Sequence, residues 1–189
     1  MIPNSREILY RTYGAWRLAR FDAGGRQYFD DAPDAALRSF FAAVLVAPAY
    51  LISLLLQGSQ ASDIEPLTAV LVFLLAYSLE WTVFPVVVYY VCQAIDRQQA
   101  FFRYLSAINW ASMISHHLLL VLTLLVVGGV IPASIVSLVS FAFHAYLMAY
   151  LWFITRHCLE VSAPAAVGFV ALSFFIALFI YAIVSGILG

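Results

Sequence analysis

The chain alternates long apolar runs with short polar breaks, and the lengths of the runs decide its class. Five runs, 36–56, 67–91, 105–127, 131–154 and 163–188, each approach or exceed the roughly 20 helical residues that cross a hydrocarbon core. The breaks read "QGSQASDIEP", "QAIDRQQAFFR", "GGVIP" and "RHCLEVSAP", and they hold the Gly, Pro, Asp and Ser that end helices. Nothing alternates with period two, so helical spans fit and a membrane barrel does not. The pattern predicts an all-α fold, an integral membrane bundle of five transmembrane helices.

Residues 1–35 follow a different rule. In "NSREILYRTYGAWRLARF", Asn4 or Ser5 suits a helix N-cap and Glu7 suits the first turn. At about 100° per residue, Ile8, Leu9, Thr12, Ala15, Trp16 and Ala19 share one arc, flanked by Arg6, Arg17 and Arg20. Two placements satisfy that amphipathic helix. It can lie in the cytoplasmic leaflet with its arginines on anionic lipid heads, or pack on loops of the same protein. The acidic, turn-rich link "DAGGRQYFDDAPDA" follows, and Asp34, after Pro33, is the expected cap of the first span. The chain thus divides into a cytoplasmic amphipathic helix with its linker, 1–35, and a five-helix transmembrane domain, 36–189.

Charge sets the orientation. All nine basic residues are Arg. Arg6, Arg11, Arg17, Arg20, Arg26 and Arg38 precede or open the first span, Arg97 and Arg103 lie between spans two and three, and Arg156 lies between four and five. With five spans every arginine falls on one side, which the positive-inside rule makes cytoplasmic. The N-terminus is then inside and the C-terminus outside. Trp16, Tyr89, Tyr90, Tyr104, Tyr150 and Trp152 gather near the same boundary, as an interfacial aromatic belt would.

Composition agrees. The chain is 65% hydrophobic and 10% charged, against about 25% charged in average globular domains. A net charge of −1 gives no basic footprint for nucleic acid. The absence of Lys associates with a high-GC bacterial genome, and so with a bacterial inner membrane. Cys92 and Cys158 are too few for a disulfide framework, and no secretory signal precedes the first apolar run.

Against this apolar background a few polar residues stand out. His116 precedes Val130 by fourteen residues and His144 follows it by fourteen. Equal distance from a tight turn means equal depth in an antiparallel pair, here about 21 Å from the turn. Glu80 lies thirteen residues beyond Leu67, in the same layer. Pro85 removes a backbone donor nearby and predicts a kink there. Asn109, Ser112 and His116 share one side of span three; Ser137, Ser140 and His144 share one side of span four. His117 points about 100° away from His116. The expected polar intramembrane cluster is Glu80, Asn109, His116, His117 and His144.

Three chemistries suit that cluster. It can be a hydrogen-bonded network that fixes helix register, or a proton or ion relay between carboxylate and imidazoles. It can also be a metal or haem b site, with His144 and either His116 or His117 as axial ligands. "TRHCLE" (155–160) adds His157 and Cys158 near Cys92, but matches no zinc spacing and reads as a solvated helix end. The outer acids Asp63 and Glu65 read as solvating charges. No nucleophile elbow, phosphate loop or HExxH signature is present, which leans away from an enzyme.

The layout resembles the Yip-domain family of small polytopic membrane proteins. "RTYGAW" (11–16) is similar to the tyrosine–glycine motif of eukaryotic members, and "LRSFFAAVLVAPAYLISLLL" (37–56) resembles the opening span of bacterial ones. The resemblance implies a cytosolic N-terminal region, five spans and an outward C-terminus. Eukaryotic members act in vesicle trafficking with small GTPases, and the activity of bacterial members is undefined. It carries over no functional residues. The expected function is therefore a non-enzymatic, membrane-organising or partner-binding protein in contact with the lipid bilayer and with a protein partner or further copies of itself. The alternative is a small proton-linked transporter, or a redox subunit, using the Glu/His layer.

Overall fold

The computed structural model describes residues 2–57 and 65–188. Among the described residues seven α-helices follow in order: α1 (Ser5–Ala19), α2 (Pro33–Ser39), α3 (Phe41–Gln57), α4 (Pro66–Ala94), α5 (Gln98–Val127), α6 (Val136–Cys158) and α7 (Ala163–Leu188), with no strand. Five helical stretches are long and apolar enough to cross a membrane: Pro33–Ser53, Val70–Ala94, Gln98–Val127, Ala133–Cys158 and Ala163–Ile187. The break holding Asp63 lies outside the described residues.

The long helices overrun the predicted spans at one end. At 1.5 Å rise, α4 and α5 are about 43 and 45 Å long, against about 30 Å of hydrocarbon. The break between them shrinks to Ile95–Arg97. Asp96 takes φ 55° there, a left-handed conformation that Asp tolerates, and the Arg97 amide closes back on the Cys92 carbonyl at 2.8 Å. At the opposite end Gly129 has φ +70°, which ends α5 and starts the turn into α6. Pro85 does not interrupt α4.

Two helix starts differ from expectation. Ala32, not Asp34, caps α2, without a side-chain bond. Pro33 at the first helical position leaves no amide there to satisfy, which frees Asp34 to pair with Arg38 at 2.5 Å. Glu65 is more than a solvating charge. It caps α4 by accepting from the Thr68 amide at 3.0 Å and the Thr68 hydroxyl at 3.1 Å, and these bonds hold its carboxyl below the usual range.

Helix α1 packs on the protein by part of the predicted arc, with Ala15 and Ala19 buried and Ile8 against the core. Asn4 caps it through the Glu7 amide at 2.8 Å. The buried stripe is Arg11, Gly14, Ala15, Leu18 and Ala19, while Leu9 is 71% and Trp16 47% exposed. Small residues decide this. They bring the α1 backbone close enough for Tyr150 to donate to the Ala15 carbonyl at 2.7 Å and Tyr146 to the Ala19 carbonyl at 2.8 Å. The link then turns back at Phe21 (φ 57°) into a 3-10 turn, Ala23–Tyr28, which Asp22 caps through Gly24 at 2.9 Å. Arg17 bonds Asp22 at 2.6 Å. That bond first, then the Gly24 amide, lowers the Asp22 carboxyl, and the same bond raises the Arg17 guanidinium. Depressed carboxyls stabilise above the ordinary carboxylate range and lose that contribution as pH falls through their folded values, so this turn and the Glu65 cap loosen on acidification.

Arginines tie the segment down. Arg11 bonds the Tyr28 carbonyl and pairs with Asp30 at 2.5 Å. Arg38 pairs with Glu7 at 3.0 Å. Arg103 donates to the Cys158 carbonyl at 3.0 Å and pairs with Glu160 and Asp31, and Arg26 pairs with Glu160 at 2.9 Å. The end of α6 is therefore not a solvated helix end: Thr155, Cys158 and Leu159 are buried. Residues 1–35 and the bundle share one hydrophobic core. We call this the capped end of the molecule.

Gly14 tests that packing, because any Cβ there would run into the Cβ of Tyr28. Gly14→Val is expected to lift the 23–28 turn and open Arg26, inside that turn, to brief trypsin treatment. Gly168→Val, where a Cβ meets nothing within 4 Å, should leave the digest unchanged. Equal digests for both would contradict the packing.

Candidate functional site

Contacts along the helices fix their directions. Ser39 at the end of α2 meets Asn109 and the Tyr50 ring of α3 meets His116, so the α2–α3 segment runs parallel to α5. Glu80 meets His116 and Tyr89 meets Phe101, so α4 runs antiparallel. Tyr104 bonds Thr155 at 3.1 Å, which sets α6 antiparallel to α5. Tyr77, Glu80, Trp81 and Phe84 recur on α4 at the spacing that places them on one face, as do Asn109, Ser112 and His116 on α5.

The central contact is His116 Nε2 to Glu80 Oε1, 3.3 Å. His116 Nδ1 bonds the Ser112 carbonyl at 2.8 Å. A carbonyl only accepts, so Nδ1 carries a hydrogen. Nε2 of a neutral ring would then present a lone pair to the carboxylate, and two acceptors repel. The contact therefore holds a single proton, either as imidazolium facing carboxylate or as carboxylic acid facing imidazole. Both forms are neutral as a pair, which lowers the few kcal/mol that a lone charge costs in a membrane span. The Tyr50 ring lies 5.9 Å from the His116 ring and 5.1 Å from Tyr77, whose hydroxyl donates to the Ala43 carbonyl at 2.5 Å.

Glu80 also lines a cavity of about 320 Å³ among α4, α5, α6 and α7. The wall is mostly apolar, with Trp81, Phe84, Leu151 and Ile176, and it includes Ser112, Ser115 and Ser173, the last donating its hydroxyl to the Val170 carbonyl at 2.7 Å. Asn109, 3% exposed, lies at this wall and donates to Ser39 at 2.8 Å, which passes its own hydrogen to the Ala36 carbonyl at 2.6 Å. That chain ties the cavity to the capped end.

Of the predicted cluster, Glu80 and His116 meet each other, and Asn109 shares the cavity wall with Glu80. His117 and His144 stand apart. Both are exposed, and each satisfies Nδ1 on the carbonyl four residues back, Met113 and Ser140, at 2.7 Å. The depth argument for His144 holds, because Tyr104 and Thr155, also nearly equidistant from Val130, do meet. Its face does not hold: α6 buries no side chain before Tyr150, so its polar stripe is not pressed against α5. Two histidines therefore do not oppose each other. His116 Nε2 is engaged by Glu80, and no group of three or more metal-capable side chains occurs among the described residues. The donor set does not fit bis-histidine haem. Cys92 and Cys158 are both buried and free.

Sequence reasoning missed Tyr50, Tyr77 and Ser39, and the contribution of α7 to the cavity. Ser39 carried a signal, a hydroxyl at the opening of the first apolar run, where a helix end needs partners; α7 offered only Ser173, Tyr181 and Ser185 in an apolar run. No family model, curated protein or solved structure matches the chain.

Removing a partner of a buried hydrogen bond costs about 1–3 kcal/mol. Asn109→Ala is expected to lower the thermal midpoint accordingly, whereas exposed His144→Ala should change stability by less than about 0.5 kcal/mol. A larger loss from His144→Ala than from Asn109→Ala would contradict these placements.

Proposed function

We propose that the chain is a non-enzymatic multi-pass protein of a bacterial inner membrane that binds a small ligand inside its bundle and couples that binding to a proton, as a small proton-linked carrier. The Glu80–His116 contact carries this reading. It stores one proton beside a cavity, on a carboxylate that is 42% exposed, backed by an imidazole that is 16% exposed. An incoming molecule therefore meets the carboxylate first. Intramembrane ionisable pairs beside cavities are the usual substrate and proton sites of carriers. The end capped by α1, where the arginines cluster, is the cytoplasmic end by the positive-inside rule, which puts the C-terminus outside.

A second observation favours the membrane-organising, Yip-like role as an additional one. Leu9, Tyr13 and Trp16 are exposed on the side of α1 opposite its buried stripe, with Arg6 and Arg20 near them on the helix. Such a face suits the lipid interface, a protein partner or another copy of the chain.

A proton-coupled carrier discharges an imposed pH gradient only when its substrate is supplied. In proteoliposomes reporting internal pH, amphiphiles of at least one charge class should discharge the gradient with the wild-type chain, and none should do so with Glu80→Gln at equal helicity. If no class does so, the carrier reading fails.

A further inference from the structure

Building on the carrier reading, we infer that the cavity takes a monovalent lipophilic cation and exchanges it for the proton held between Glu80 and His116.

The lining selects the class. Glu80 is its one charged residue. Lys is absent from the chain, and the arginines belong to the capped end, so an anionic ligand would find no countercharge. A cation finds the Glu80 carboxylate, and Trp81 and Phe84, side chains of the kind that attract cations, line the same cavity. A second positive charge would stay unpaired in a low-dielectric space, which is costly. A metal ion or small ammonium would need several oxygen ligands to replace its hydration shell, and beside the Glu80 carboxylate the wall is mostly Leu, Ile, Ala and aromatic side chains. What remains is one delocalised or shielded positive charge on a hydrophobic body. A volume of about 320 Å³ lies at the small end of ligand pockets.

Charge balance dictates the exchange. Before binding, carboxylate, imidazole and one proton sum to a neutral pair. When the cation arrives, the Glu80 carboxylate turns from Nε2 to neutralise it, the shared proton leaves to solvent, and His116 ends neutral with Nδ1–H still on the Ser112 carbonyl and Nε2 no longer opposed by an acceptor. The site is neutral in both states, so no net charge is buried at any stage. The other titratable groups around it are phenols: Tyr50 from α3, Tyr77 from α4 and Tyr150 from α6, whose hydroxyl donates to the Ala15 carbonyl. Phenols titrate near pH 10, so they keep their hydrogens at neutral pH. Helix α7 brings no charged residue.

Tetraphenylphosphonium and tetraphenylborate share a shape and differ in charge, so calorimetric titration of the full-length purified protein with both, in two neutral buffers of different ionisation heat, tests the inference. Tetraphenylphosphonium should bind wild type at least about tenfold more tightly than Glu80→Gln, and release about one proton per cation. Glu80→Asp should retain part of the affinity. Ser173→Phe, which adds bulk to the cavity from α7 and leaves both Glu80 and His116 in the chain, should lose binding, and this keeps the test decisive if Glu80→Gln does not fold. Cation binding without proton release overturns the exchange. Tetraphenylborate binding that Ser173→Phe abolishes overturns the cation class while leaving the carrier reading intact. If neither ion binds above the Ser173→Phe background, the inference fails, and gradient discharge by another amphiphile class shows whether the carrier reading survives.

Discussion

A carboxylate within a helix long and apolar enough to cross a membrane must be neutralised, and in this chain one imidazole does it. A charge at mid-span costs about 2.5–3.5 kcal/mol on insertion scales, comparable with a large part of a protein's net stability. Glu80 avoids that cost because Ser112 dictates the tautomer of His116, and the tautomer dictates that a proton sits in the 3.3 Å contact. The relation is directional. The helix backbone orients the ring, the ring fixes the proton, and the proton fixes which state of Glu80 can face the cavity. The same arrangement that makes α4 tolerable in a bilayer makes its acid chemically available.

The capped end is what holds α4, α5 and α6 in that register. Buried side chains of α5 concentrate between Ala100 and Ala111, and those of α6 between Tyr150 and Cys158. Helix α1 contributes here through its small residues and through backbone carbonyls that accept from Tyr146 and Tyr150. The arginines have two uses. In the proposed topology they orient the chain by number and side; by geometry they close helix ends, as Arg103 does on the Cys158 carbonyl. Hydrogen bonds to charged groups contribute about 1.5–3 kcal/mol each when partly shielded, more than exposed ion pairs do, so the partly buried Arg103 and Arg11 matter more here than the surface pair Arg38–Asp34. Away from this end the packing is sparser, and the cavity lies where helices that converge on the cap leave space between them.

Much of this was legible in the sequence, and the failures share a cause. Run length and arginine parity predict five spans because bilayer thickness and positive-inside bias act on one-dimensional features. Turn distance predicts helix depth for the same reason, and the Tyr104–Thr155 contact shows it working. Rotation about a helix axis is another matter. It depends on which neighbour presses hardest, and in an apolar span every face is equally greasy. Periodicity puts His144, and Leu9 and Trp16 of α1, on the wrong face on that account: polar or apolar character alone does not say which side of a rod meets protein. The Gly14–Ala15–Leu18–Ala19 stripe shows the better signal, small residues at helical spacing. The pairing of Glu80 with His116 was legible from depth and from the cost of a lone acid, and the single proton was not, because it follows from one side-chain-to-backbone bond.

The most direct measurement is nitrogen-15 NMR of the histidines in the membrane-reconstituted protein, compared with Glu80→Gln. His116 should show Nδ1 protonated, with an Nε2 resonance displaced toward a shared proton that returns to an ordinary value when the carboxylate is removed, while His117 and His144 stay unchanged. An Nε2 resonance for His116 that is indifferent to Glu80→Gln would mean that no proton is held between them, and the account would fall.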